Sequence, residues 1–365
     1  MELTLIISAL IIGFVIVLFA IPPILRVAHA KHLFDPIEDR KIHKGIIPPL
    51  GGVAIFIGFT VSSILATDGL TFDSLKYIIV GVILMFFIGL KDDLVDISAG
   101  KKLAIQIIAA IILITLGNLR LTNLHGILGI YEIGIITSFT ISMFMIVVII
   151  NAFNLIDGID GLASGLSMMA ATVFGVWFFI SKNYQYSIIS FALVGSLASY
   201  FIYNVFGNKN KLFMGDSGSL IVGLMISIFV IKFNEFNIAK TTEYAIGGAP
   251  AVSFAIIIVP LIDTIRVMSI RIRQRKSPFS ADNNHIHHRL LTLFPSHLKV
   301  TIIIISANVI IIAIALYLNH ILLNNNIQII IIFLTGILFS YIPSFLIKVR
   351  DSRNIKSSHV VKQVS

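Results

Sequence analysis

Residues 135–165 read IITSFTISMFMIVVIINAFNLIDGIDGLASG. A helix needs about 20 predominantly apolar residues to cross the hydrocarbon core of a bilayer. The stretch 135–153 supplies them without one charged side chain. Its end then carries Asn151, Asn154, Asp157 and Asp160 at three-residue spacing, with no basic residue nearby. Polar groups at membrane depth are costly and usually functional. The run therefore predicts a transmembrane helix whose end holds a polar stripe of amides and carboxylates. Gly158, Gly161 and Gly165 permit close backbone approach around it.

The same pattern repeats along the chain. Apolar stretches at about 3–25, 47–66, 76–90, 102–116, 135–153, 162–180, 187–205, 212–231, 246–268, 299–319 and 325–347 predict eleven transmembrane helices. Composition agrees. Of 365 residues, 57% are hydrophobic and 12% charged, against roughly 45–50% and 25% in soluble domains. Mean hydropathy is +0.99. A soluble enzyme, a disordered chain and a nucleic-acid-binding domain are excluded. The absence of Cys excludes disulfides, thiolate metal sites and a Cys nucleophile. The first stretch ends in Ala28-His29-Ala30, yet it lacks a basic n-region and is longer than a signal h-region. It is read as a span.

With eleven spans, loops after odd-numbered spans and the C-terminus share a side. That side holds 22 of the 27 Lys and Arg. The positive-inside rule then places the N-terminus outside and the C-terminus in the cytoplasm. The expected architecture is an all-α polytopic membrane protein, one integral-membrane domain over 1–349. Residues 350–365 read as a basic, disordered cytoplasmic tail.

Ionisable residues gather in five segments, all on that cytoplasmic side, in the loops 26–46, 91–102, 154–161, 204–216 and 266–298. DPIEDRKIHKGIIPPLGG (35–52) offers Arg40, Lys41, His43 and Lys44 as a cationic clamp for a phosphorylated ligand. KDDLVDISAGKK (91–102) places Asp92, Asp93 and Asp96 on one face if helical. Like charges that close need a cation or a basic ligand group among them. NAFNLIDGIDGLASG (151–165) looks like hard-oxygen ligation. FMGDSGSL (213–220) exposes Asp216 between glycines. The loop after span 9 carries Arg271, Arg273 and the cluster His285, His287, His288, suited to phosphate contacts or proton handling. Carboxylates with amide oxygens imply Mg2+, which is shared between a few protein carboxylates and substrate phosphates. Mn2+ is the alternative ion. The physical reading is a phosphotransfer site at the cytoplasmic membrane surface.

These five ordered motifs resemble the polyprenyl-phosphate N-acetylhexosamine-1-phosphate transferases over essentially the whole chain. Ile47-Pro48-Pro49-Leu50-Gly51-Gly52 and Ile286-His287-His288-Arg289-Leu290 are similar to the UDP-GlcNAc branch rather than to the phospho-MurNAc-pentapeptide translocases. The resemblance implies transfer of GlcNAc-1-phosphate from UDP-GlcNAc to undecaprenyl phosphate, releasing UMP, in a bacterial cytoplasmic membrane. It would begin a teichoic-acid or an O-antigen or common-antigen polysaccharide. It implies Asn154 and Asp216 as metal ligands, and Asn204 and Phe213 as holders of the uridine. Asp157 and Asp160 would shape the nucleotide pocket. Asp92 and Asp93 would assist the lipid phosphate, one as base, in a direct displacement, with Asp96 beside them. His285, His287 and His288 with Arg271 and Arg273 would meet diphosphate or sugar, and Lys44 a phosphate. Expected partners are the two substrates and membrane lipids, with a homodimer allowed and nucleic acid excluded. A different UDP-sugar, or the MurNAc-pentapeptide donor, is the enzymatic alternative. A polytopic transporter is the non-enzymatic one, but it would set charges near mid-span. Asp263, inside span 9 with Pro260, is explained by a kink and pairing with Arg266.

Overall fold

The computed structural model describes residues 1–33, 47–67, 72–238, 244–275 and 284–364, with side chains through 352. Helices α1 (Glu2–Lys31), α2 (Gly51–Ala66), α3 (Ser74–Leu94) and α4 (Ala99–Thr115) come first. A hairpin of β1 (Asn123–Ile127) and β2 (Ile130–Glu132) follows. Then come α5 (Ile135–Leu155), α6 (Leu162–Ile180), α7 (Tyr184–Phe206) and α8 (Gly215–Phe236). The chain ends with α9 (Ala249–Ile256), α10 (Ile258–Arg273), α11 (Ile286–Leu293), α12 (His297–His320) and α13 (Asn325–Val364).

Each of the eleven apolar stretches forms helix. Among the described residues, eight helices are long and apolar enough to cross a membrane, and α9 with α10 makes a ninth if the bent pair is one span. α2 and α4, at 16 and 17 residues, fall short of that length. The protein is thus a helical polytopic membrane protein. Large apolar side chains such as Ile7, Ile11, Phe19, Phe144, Leu334 and Phe345 stand exposed, as lipid-facing residues do and soluble surfaces do not. α8 is apolar all round and almost wholly buried, so it is the central helix. α3 and α5 pack on it, and α1 packs on α7.

The all-α expectation holds for the membrane-spanning body, and the kink expected in span 9 is present. One short hairpin is added to the helices: β1 and β2 pair antiparallel, Ile127 opposite Ile130. Gly126 and Gly129, both at φ +79°, permit the turn. Span 9 is broken, with α9 and α10 meeting at 72°. Pro260 cannot donate to the carbonyl of Ile256, and Asn308 Nδ2 reaches the carbonyls of Ala255 and Ile256 instead, at 3.1 and 3.2 Å. The backbone of α13 runs helical through Val364. No Gly or Pro after Pro343 interrupts it.

Candidate active site

The site forms where the C-terminal ends of α3, α5, α7 and α10 meet the N-terminal ends of α2, α4, α8, α11 and α12. Close approach comes first. Gly51 and Gly52 N–H donate to the carbonyls of Phe213 and Met214, and Phe213 N–H to Pro48, at 2.8–3.0 Å. Gly215 has φ +70°, and a Cβ there would lie 2.3 Å from the Pro49 carbonyl. A Cβ on Gly89 would lie 2.4 Å from Ser217 Cα. Only glycine lets α3 and the start of α8 touch backbone to backbone.

That contact fixes Asp93. Its Oδ1 accepts from Asp216 N–H at 2.7 Å; its Oδ2 accepts from Ser217 N–H at 3.0 Å and Ser217 Oγ at 2.7 Å. Asp93 therefore caps α8 from a neighbouring helix, where the first amides lack partners and the dipole favours an anion. Both oxygens of Asp93 thus hold the start of α8.

Asp92 faces the site. Its Oδ2 meets Lys102 Nζ at 2.5 Å, and the same ammonium meets Asp216 Oδ2 at 2.6 Å. Asp216 Oδ1 accepts from Asn154 Nδ2 at 2.9 Å, which also reaches Ser219 Oγ at 2.9 Å. Lys102 is the cation that the crowded carboxylates demanded. It lay inside a quoted motif without being singled out, because nothing local says it reaches Asp216, 114 residues away. The placing of Asp96 is corrected. α3 ends at Leu94, Val95 is extended, and Asp96 is exposed, so it does not share a face with Asp92. Asp92 Oδ1 instead accepts from Ile97 N–H at 2.8 Å.

The stripe 151–160 does not lie on one helix, since α5 stops at Leu155. Asn151 and Asn154 stay on α5; Asp157 and Asp160 sit in the loop before α6. Burial, then the charges of Asp216, Asp93 and Asp160, push the Asp157 carboxyl up to about 7. Asp160 goes the other way. Burial alone would raise it, but His297 Nδ1 at 2.7 Å and Lys211 Nζ at 2.6 Å hold it below the usual carboxylate range. Lys211 and His297 are further residues that the motifs did not flag. Asn204 is buried with Oδ1 accepting from Gly161 N–H (2.7 Å) and Nδ2 donating to the Leu212 carbonyl (2.9 Å). It pins two loops, and Phe213 follows Leu212 at the site's edge, half-buried.

The last wall comes from α10 and α11. Asp263 is buried and accepts from Arg266 Nη2 (3.0 Å) and Ile286 N–H (2.8 Å), with His285 Nδ1 at 2.8 Å. The pairing with Arg266 is as expected. His285 is buried against Asp263 and anchors the start of α11. His287 is buried, and both its ring nitrogens lack a partner among the described residues. Burial, reinforced by His288 alongside, pushes its pKa down to about 3. Its ring lies 4.3 Å from that of His288. It packs so tightly on loop 156–161 that a Cβ on Gly158 would fall 2.1 Å from Nε2. Arg271 is buried and faces inward, whereas Arg273, two residues on, is exposed. Residues two apart on a helix point to opposite sides, so the pairing of Arg271 with Arg273 is corrected. Arg40, Lys41, His43 and Lys44 lie outside the described residues.

An almost wholly apolar cavity of about 1050 Å3 opens beside the cluster. Lys102, Asn154 and Arg271 line its polar end; Phe144, Met145, Leu220 and Phe254 line its body. Among the described residues no three His, Asp or Glu close on a common metal position. The donor chemistry nevertheless suits magnesium, which takes one or two carboxylates and completes its shell with phosphate oxygens and water. Asp216, Asp92 and Asn154 are such hard-oxygen donors, and a cationic ammonium already bridges the two carboxylates.

Comparison with known proteins follows the same lines. The model of glycosyl transferase family 4 matches residues 75–234. The undecaprenyl-phosphate alpha-N-acetylglucosaminyl 1-phosphate transferase of Escherichia coli K12 is 32% identical over 269 residues, 73% of this chain and 71% of its own. The protein of that name from Yersinia pestis is 30% identical over the same shares. A protein of Bacillus subtilis strain 168, named as a probable undecaprenyl-phosphate N-acetylglucosaminyl 1-phosphate transferase, is 32% identical over 294 residues, 80% of this chain and 79% of its own.

Proposed function

The chain belongs to glycosyl transferase family 4, with relatives named as undecaprenyl-phosphate N-acetylglucosaminyl 1-phosphate transferases, and from that membership we propose that it transfers GlcNAc-1-phosphate from UDP-GlcNAc to undecaprenyl phosphate. The products are GlcNAc-pyrophosphoryl-undecaprenol and UMP. One pyrophosphate replaces another, so the reaction is readily reversible. The observation that carries this reading is the juxtaposition of a carboxylate–amide–ammonium cluster (Asp92, Asp216, Asn154, Lys102) with the polar end of a large apolar cavity. A phosphorylated prenyl chain has that amphipathic shape.

Asp216, Asp92 and Asn154 would hold Mg2+, with Mn2+ as the alternative. A divalent ion there would supply charge neutralisation to the pyrophosphate and to departing UMP. The protein's own share is positioning. Lys102 and Arg271 attract phosphate oxygens, and the apolar cavity takes prenyl units. Asp157 and Asp160 sit on the nucleotide side with Phe213, and the neutral His287 with His288 closes the sugar side. With Asp93 holding the start of α8, the reading favours direct attack by the lipid phosphate, oriented by Asp92 and Lys102. A phosphomonoester has a second pKa near 6, so orientation outweighs deprotonation.

The reading extends to topology. α2 and α4 would complete eleven spans, short helices sheltered by long neighbours, with the N-terminus outside. The site would then face the cytoplasm of a bacterial cell membrane, as the 22 basic residues on that side favour. The product would enter a cell-envelope polysaccharide of teichoic-acid or O-antigen and common-antigen type. Purified protein with Mg2+, undecaprenyl phosphate and labelled UDP-GlcNAc is expected to release UMP and yield a labelled lipid. Product only with the UDP-MurNAc-pentapeptide donor would overturn the sugar assignment; no UMP from any UDP-sugar would overturn the activity.

A further inference from the structure

One turn below the phosphate-facing layer lies a second polar pair that the chemistry above does not use. Gln106 follows Lys102 by four residues on α4, and Asn151 precedes Asn154 by three on α5. Each is therefore stacked deeper on the same helix face, by about 6 Å for Gln106 and about 4.5 Å for Asn151. All four line the apolar cavity. Gln106 is 1% exposed, and a buried amide costs free energy unless its hydrogen-bonding groups are met.

The pair is ordered in one direction. Asn151 Nδ2 donates both to the Val147 carbonyl (2.8 Å) and to Gln106 Oε1 (2.7 Å). Flipping Asn151 would set its oxygen against the Val147 carbonyl, so its orientation is fixed by the helix backbone rather than by choice of amide atoms. Gln106 Oε1 is consumed in turn. What Gln106 has left is its Nε2 amine, with no partner among the described residues, in the cavity wall just under Lys102.

We propose that Gln106 is an acceptor-binding residue whose Nε2 donates to a phosphate oxygen of the lipid phosphomonoester, and that Asn151 is the positioning residue that points it there. The inference rests on the transferase reading and assigns its acceptor subsite. A phosphomonoester presents three terminal oxygens. One attacks; Lys102 answers the second from above; Gln106 answers the third, or the bridging ester oxygen, from the cavity side. A neutral donor suits this place, because it grips the phosphate without lowering the nucleophile's charge as a second ammonium would.

The test uses the purified full chain. Gln106→Leu keeps bulk and removes the donor. A hydrogen bond to a charged group is worth roughly ten- to hundredfold, so kcat/KM for undecaprenyl phosphate is expected to fall by that factor while KM for UDP-GlcNAc stays within about twofold. Gln106→Glu, which sets a carboxylate against the phosphate, is expected to fall further. Asn151→Leu should lose less, and the double variant no more than Gln106→Leu alone, since the two act as one unit. Direct retention of labelled undecaprenyl phosphate and of undecaprenol is measured on the same samples. Weaker retention of the phosphate alone supports the contact. Equal weakening of undecaprenol, an unchanged acceptor kcat/KM, or a matching rise in donor KM overturns it. If wild type retains the lipid phosphate through Gln106 yet turns over no UDP-sugar, the transferase reading fails while the subsite stands.

Discussion

Gly158→Ala tests whether the packing of loop 156–161 on the histidine segment sets the active geometry. Gly158 is exposed and its φ is not in the left-handed region, so alanine costs the backbone little. The added methyl, however, would sit 2.1 Å from His287 Nε2, 2.7 Å from Cε1 and 3.0 Å from Cδ2, where ordinary contact begins at 3.4 Å. Ring or loop must yield by roughly 1.3 Å. The ring cannot yield easily, because α11 is tied down by Asp263 through Ile286 N–H and His285. The loop cannot yield easily either, because Asp160 is held by Lys211 and His297 and Gly161 by Asn204. A misplacement of about 1 Å can cost about a hundredfold in rate. UMP release under saturating substrates is therefore expected to fall by about that factor, with a loss of stability in detergent of about 1–3 kcal/mol that leaves the fold intact. Gly158→Ala combined with His287→Ala removes the clash; it should be no slower than His287→Ala alone. Gly158→Ala with activity within twofold of wild type and an intact fold would refute the reasoning, since the contact would then constrain nothing that the reaction needs.

Two further outcomes follow from the charges. The Asp157 carboxyl is raised to about 7 by burial and by neighbouring carboxylates. The folded state thus favours its protonated form, a stabilising contribution present below the unfolded value of 3.8 and lost as pH rises through about 7. Melting temperature without ligands should decline between about pH 4 and 7, and Asp157→Asn should flatten that decline; an unaltered slope in the variant would remove Asp157 as its source. Asp263→Asn leaves Arg266 as an unanswered buried charge, which costs about 3–5 kcal/mol; thermal denaturation should show a large loss, whereas a melting temperature equal to wild type would mean that Asp263 does not carry α11.

Hydropathy made the helices legible, because a lipid-facing helix must be apolar along its length whatever its neighbours. It could not separate a full span from the short α2 and α4, nor show the break at Ile257, where Pro260 and Asn308 act together across 48 residues of sequence. The candidate site was legible as residue types and as one face of the bundle. Individual roles were not. Asp92 and Asp93 are adjacent and chemically alike; which one caps α8 depends on Gly52, Gly89 and Gly215 letting α2, α3 and α8 meet. Asp96 looked helical only because nothing local marks the end of α3 at Leu94. The opposition of Arg271 and Arg273, by contrast, follows from helical periodicity and was available without a structure.

The reason so few motif carboxylates remain open lies in the electrostatics of a membrane protein's interior face. A carboxylate there persists only if something answers it. Asp93 is answered by the amides of α8, Asp160 by Lys211 and His297, and Asp263 by Arg266, His285 and the amide of Ile286. Each of these pairings ties a segment at the site end of the bundle to a different helix, so these acids build the walls of the candidate site. Asp92 and Asp216 are answered differently, by one shared ammonium. Two carboxylates and one lysine leave a net charge of minus one, and the field of that cluster is part of what raises the nearby Asp157 carboxyl. Such a place would attract a divalent cation and repel a bare phosphate. Arg271, at the cavity wall outside that cluster, is the positive charge that a phosphate on a prenyl chain would meet.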